Sequence, residues 1–194
     1  MKQQQLYSEV KRSYMKRTQL IFLSLLSASV FSQKYYTKSG QTEFKASVKT
    51  FEPIEAVNEN TSALLDTENG AIASLLFVKA FTFRVALMQE HFNENYMDSN
   101  KFPKATFKGI VEGFNFSEIS ENTPYTVKGM LTIKGIKKEI AALATFSIRE
   151  HQLIMSSSFE VQAEDFGIEI PKIVRNKISK TIKISLAYEF VEKK

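Results

Sequence analysis

The 194-residue sequence predicts an all-β fold: a single antiparallel up-and-down barrel of about eight strands with one or two short helices. Three observations carry this. Apolar residues recur at every second position through most of the chain, the period of a strand with one buried and one wet face. Short turn signals separate these runs, so consecutive strands pair as a meander, and closing a meander into a barrel removes its exposed edges. Helical spacing interrupts the pattern in only two places. No internal repeat, low-complexity tract or linker marks a second domain.

The first 33 residues read as a signal peptide. Met15-Lys16-Arg17 supplies a positive start, residues 20–30 (LIFLSLLSASV) an apolar run, and Val30-Phe31-Ser32 before Gln33 a cleavage context. That run has the length of an export signal and falls far short of the roughly 18 residues of a spanning helix. The polar stretch 1–14 is long for a signal, and initiation at Met15 would leave a compact one; an uncleaved anchor is the alternative. The barrel domain is accordingly placed at 34–194. Residues 1–32 hold Lys2, Lys11, Arg12, Lys16 and Arg17 against Glu9, a balance of +4 out of the chain's +5, which leaves +1 for the rest. A nucleic-acid protein would carry its excess of lysine and arginine on the folded domain, so that partner class is excluded. The sequence has no cysteine, so an exported domain must be held by its core rather than by disulfides.

Taken in order, Thr42, Phe44, Ala46 and Val48 alternate with polar neighbours and predict the first strand. Residues 71–83 (AIASLLFVKAFTF) read as one strand that is apolar on both faces, which calls for a covering helix or an exposed entrance or interface. Residues 85–95 place Leu87, Met88, His91, Phe92 and Asn95 at helical spacing. Phe107 follows on a strand entered from Pro103. Tyr125, Val127, Gly129, Leu131 and Ile133 alternate, then the alanine-rich residues 138–147, then Leu153, Met155, Ser157, Phe159 and Val161. Residues 171–179 predict a second short helix, with Pro171 at its start and Ile173, Val174 and Ile178 on one face. Ile182, Ile184, Leu186, Tyr188 and Phe190 close the barrel. Turn signals fall at Glu68-Asn69-Gly70, Asn122-Thr123-Pro124, Lys134-Gly135 and Glu150-His151-Gln152.

Little in this inventory is catalytic. The histidines are His91 and His151; His151 reads as a solvated hairpin tip, and two distant histidines do not supply the three or four convergent ligands of a metal site. The serine run 156–158 lacks a Gly-x-Ser-x-Gly elbow and a histidine with an orienting carboxylate. Isolated glycines do not make a phosphate loop. The sequence thus assigns no catalytic residue, no metal and no cofactor. What it has in excess is phenylalanine, sixteen with no tryptophan. A barrel of about eight strands is just wide enough to be filled by side chains or to hold one ligand, and the pattern alone leaves both open.

The stretch His91-Phe92-Asn93-Glu94-Asn95-Tyr96, then Phe102-Pro103-Lys104-Ala105-Thr106-Phe107, then Gly129-Met130-Leu131-Thr132-Ile133-Lys134-Gly135 resembles the YceI family of bacterial lipid-binding proteins. Their pattern is a histidine in a short helix, a "yP.atF" strand entry and "G.LtikG..k". The likeness extends from about Ser39 to the end. It implies a lipocalin-like barrel holding an isoprenoid chain, such as a polyprenyl phosphate or a quinone tail, in a long apolar tunnel. It also implies a periplasmic or secreted location in a Gram-negative-type envelope, without stable membrane insertion, as monomer or homodimer. The sequence departs from the family where the helix reads His91-Phe92-Asn93-Glu94-Asn95-Tyr96-Met97 in place of "hL.s.dFf", and where Ala141, Ala142 and Ala144 thin one wall.

The resulting expectation is an exported, non-enzymatic carrier of an isoprenoid or other long-chain apolar ligand. Its candidate contacts are Phe44, Phe77, Phe83, Met88, His91, Phe92, Tyr96, Phe107, Leu131, Phe146, Met155 and Phe159. Phe107, Leu131, Phe146, Met155 and Phe159 are expected to point inward, and residues 83–97 to cap one end with Met88, Phe92 and Tyr96 inward and His91 near the mouth. The alternatives are a fully packed barrel that binds a partner or acts in envelope stress, and an enzyme on the same scaffold.

Overall fold

The computed structural model describes residues 33–47, 53–150 and 152–193; residues 1–32 of the predicted signal segment, Val48 and His151 lie outside them. Among the described residues nine strands form one sheet: β1 (Lys34–Ser47), β2 (Glu55–Asp66), β3 (Ala71–Phe77), β4 (Thr82–Phe83), β5 (Lys104–Val111), β6 (Thr123–Ile133), β7 (Ile136–Arg149), β8 (Gln152–Gln162) and β9 (Ile178–Glu192). Their order is β1-β9-β8-β7-β6-β5-β3-β2-β4, and β1 also pairs with β2. That last pairing closes a barrel of eight strands, with the two-residue β4 appended to β2. Every pairing is antiparallel. The predicted meander and its closure are therefore the observed fold, and among the described residues no helix is long and apolar enough to cross a membrane.

Alternation sets each register because the side-chain period is two. Along β8, Leu153, Met155 and Ser157 are buried while Ser156 and Ser158 are exposed. Along β9, Tyr188 and Phe190 are buried between exposed Ala187, Glu189 and Val191. The Lys134-Gly135 signal forms a two-residue hairpin, with Ile133 opposite Ile136 and φ of 48° and 76° at its two residues. Both angles are positive, as the tight hairpin turn that matches strand twist requires, which is why glycine stands second.

Three elements differ from the sequence reading. The strand β2 was not expected, because Asn58 and Thr61 occupy buried positions where the eye looks for apolar residues. Its register against β1 also shifts between Gly40–Thr61 and Thr42–Asn58, which breaks the period in sequence. Residues 71–83 are not one strand: β3 stops at Phe77, a 3-10 turn covers Val78–Ala80, and β4 resumes at Thr82. Long-range bonds make that break. Asn58 Nδ2 donates to the Phe77 carbonyl at 3.0 Å, and Val78 N–H donates to the Pro103 carbonyl at 2.9 Å. Residues 171–179 do not form a helix; only a 3-10 turn, Lys172–Val174, follows Pro171, and β9 already begins at Ile178. Such a short, β-branched segment cannot offset the cost of helix nucleation by burial, since Ile173 is 87% exposed.

The one α-helix among the described residues, α1 (Ala86–His91), runs on into a π turn, Phe92–Tyr96, closed by Met97 N–H donating to the Phe92 carbonyl at 2.9 Å. It packs along β4.

Candidate functional site

Two apolar clusters sit at different heights in the barrel. One is solid. Phe146 and Phe190 are fully buried with Leu65 and Leu153, and Phe114, from the loop after β5, packs edge-on to Phe146 at 5.2 Å. Tyr125 contacts the same ring at 5.6 Å, and Phe116 covers Tyr35 at 5.3 Å. The other cluster gathers under α1. Phe44 of β1 stacks on Phe92 at 5.2 Å, Phe81 lies 5.7 Å and Phe83 5.1 Å from Phe92, and Met88 packs against this group.

Between them lies a cavity of about 360 Å³, within the ~300–1,000 Å³ span of small-ligand sites. Its inner end is formed by Ile72, Val127, Met155 and Tyr188, the top of the solid cluster. Its outer end lies between the α1 segment and the connection from β8 to β9, which contributes Phe166, Ile168, Ile170 and Val174. That connection is anchored to β7 by Lys138 and Asp165 at 3.3 Å and to the β6–β7 turn by Lys134 Nζ, which donates to the Gly167 carbonyl at 3.1 Å.

Ten of the twelve candidate residues line this cavity. Phe44, Phe107, Leu131, Met155 and Phe159 are wall positions, and Phe83, Met88, His91, Phe92 and Tyr96 belong to the cap segment. Two candidates do not line it. Phe77 is 51% exposed on the outer face, where the Lys104 ammonium lies 5.4 Å from its ring; it is the last residue of β3, on the opposite parity to buried Leu76. Phe146 points inward as its parity requires but belongs to the solid cluster, outside the cavity.

Sequence reasoning missed Phe81, although it shares the parity of Phe77 and Phe83 on the strand read over 71–83, and the far lip. The alternation of Phe166, Ile168 and Ile170 before Pro171 was a usable signal for that lip. It also missed polar members of the lining, among them Thr42, Ser74, Thr106, Ser157 and Tyr188. The lining is otherwise almost wholly apolar. Lys177 is its cationic member and no carboxylate joins it among the described residues. Burial holds the Tyr96 hydroxyl above the usual phenol value. Burial raises that of Tyr188 too, against the opposing hydrogen bonds of Thr42, Ser74 and Thr61. Among the described residues no three metal-ligating side chains converge. Such a lining is chemically suited to contact with hydrocarbon.

A family model described as the YceI-like domain matches residues 29–190. Among solved structures the chain is similar to a polyisoprenoid binding domain from Saccharophagus degradans implicated in plant cell wall breakdown, with a TM-score of 0.69 at 13% identity over 84% of this chain and 99% of that one. It is similar to BcnA of Burkholderia cenocepacia, TM-score 0.65 at 16% identity over 78% and 96% of the two chains. The Campylobacter jejuni YCEI protein gives 0.58 at 16% identity over 76% and 89%. No protein among the curated sequences matches the chain.

Proposed function

The chain belongs to the YceI-like domain family, and on that premise we propose that it is an exported, non-enzymatic carrier of one isoprenoid-type chain held inside its barrel. The observation that carries this is the cavity itself: one end closed by a solid aromatic cluster, walls that are apolar almost throughout, and a short helix over the other end. A packed barrel would continue the close fit of the Phe146 layer through to α1.

Such a ligand binds through burial of its hydrocarbon, at about 0.8 kcal/mol per CH₂, so one five-carbon unit contributes roughly 4 kcal/mol before ordering costs. The description of the similar Saccharophagus degradans domain as polyisoprenoid-binding supports the same ligand class. The signal-like residues 1–33 support export, to the periplasm or to the outside of the cell.

Two experiments test the reading. Protein unfolded in guanidinium to strip lipid, refolded and mixed with a polyprenol, should carry the lipid through gel filtration in saturable one-to-one ratio. A folded barrel that takes up none refutes the carrier. N-terminal sequencing of protein from the envelope fraction should begin near Gln33 or Lys34; a chain still bearing residues 20–30 refutes cleavage.

A further inference from the structure

The inner end of the cavity carries a cluster of hydroxyls set among apolar residues. Thr42 Oγ1 lies 2.9 Å from Thr61 Oγ1 and 3.3 Å from the Tyr188 hydroxyl, and Ser74 is the neighbour whose hydroxyl acts on the same phenol, opposing the effect of burial. These groups come from β9, β1, β2 and β3, four strands adjacent around the barrel. Thr42, Thr61 and Tyr188 are 5%, 1% and 2% exposed. Thr42, Ser74 and Tyr188 line the cavity, and Thr61 stands behind them. The chain makes room for this cluster: a Cβ at Gly40 would lie 2.6 Å from the Tyr188 ring and 3.0 Å from the Thr61 carbonyl oxygen.

Burying hydroxyls in an apolar interior costs about 1–3 kcal/mol each unless they are bonded, and valine or phenylalanine would fill the same positions without that cost. The cluster bonds internally, yet it does not exhaust itself. Each hydroxyl offers one hydrogen and two lone pairs, so a ring of hydroxyls keeps lone pairs to spare and can swing one hydrogen toward a new acceptor. Among the described residues no charged group of the lining stands at this end; Lys177, the cationic member of the lining, belongs to the segment after Pro171 that forms the outer lip. An anion placed at the floor would be buried without a counter-charge.

We infer that this floor is a recognition site for the uncharged hydroxyl or carbonyl terminus of an isoprenoid, which therefore enters polar end first with its hydrocarbon trailing toward α1. The inference rests on the carrier reading and adds the orientation and head-group class to it. An isoprenoid alcohol, phenol or quinone fits such a floor; a phosphate does not.

The test compares two linear isoprenoids of equal length, farnesol and its hydrocarbon counterpart farnesane, in competition with a fluorescent apolar probe on the refolded full-length protein. Wild type should bind the alcohol at least as tightly as the hydrocarbon. Tyr188→Phe and Ser74→Ala should each weaken farnesol about tenfold, the value of one hydrogen bond, and leave farnesane unchanged. Ser74→Ala keeps the phenol in place, and circular dichroism confirms that both variants fold. If the variants shift both ligands equally or neither, the cluster is a structural network alone and the inference fails. If wild type binds neither compound, the carrier reading fails and the floor site falls with it.

Discussion

Replacing Ala142 by phenylalanine separates an accessible cavity from a packed interior, because the two give opposite signs. Ala142 is a half-buried residue of β7 opposite Val127, and its side chain lines the cavity. In a filled barrel a new ring would force neighbours off their rotamers and cost about 1–3 kcal/mol. In a 360 Å³ space the ring finds room, and burying it contributes about 1.5–3 kcal/mol. The net expectation is a variant as stable as wild type or about 1–2 kcal/mol more stable in urea melts, with unchanged slope. The same ring displaces roughly one five-carbon unit of ligand, which at about 0.8 kcal/mol per CH₂ weakens polyprenol binding at least a hundredfold. The assay pairs urea denaturation with polyprenol titration on the same preparation. A variant that loses 2 kcal/mol or more, or binds polyprenol as wild type does, refutes the assignment of this space to ligand.

Further expectations follow from the two ends of the barrel. Phe146→Ala should destabilise by about 3–5 kcal/mol, as for a fully buried ring, while polyprenol affinity in the folded fraction stays unchanged; a selective loss of affinity would place Phe146 in the site after all. Phe92 meets three other phenylalanine rings within 6 Å, pairs worth about 0.5–1.5 kcal/mol each beyond burial. Phe92→Ala should therefore speed hydrogen exchange across residues 86–97 by tenfold or more and leave β6 to β8 protected, and equal protection in both proteins would show that the segment is not a local cap. Burial holds the Tyr188 hydroxyl above the phenol value of 10.0, so the folded state keeps a proton that the unfolded chain gives up. The sign follows: this contribution is complete below pH 10 and is lost as pH rises above it. Tyr188→Phe should flatten the alkaline fall in stability, and an identical pH profile would contradict the buried, neutral phenol.

Much of the barrel was legible because the buried face of β6, β7, β8 and β9 is mostly apolar and the period of two runs through most of each strand. The strand β2 was not, since Asn58 and Thr61 face inward for bonds made to Phe77 and Thr42, partners that no local pattern reveals. The same applies to the end of β3, where the break is made by residues 58 and 103. Parity correctly turned both Phe146 and Phe159 inward, but height along the barrel decides which meets space. At Phe146 the interior is filled by Phe114 and Tyr125, and the fold of the loop carrying Phe114 leaves no periodic trace. The hydroxyl floor escaped for a related reason: Thr42 and Tyr188 are 146 residues apart, and each alone reads as an ordinary strand position.

Native mass spectrometry of the protein purified from its own host tests the carrier claim most directly. The account predicts a folded species with the mass of the chain plus one non-covalent isoprenoid lipid, which disappears after unfolding and refolding and returns when polyprenol is added. A protein that emerges at its bare polypeptide mass, and stays there in excess polyprenol, contradicts it.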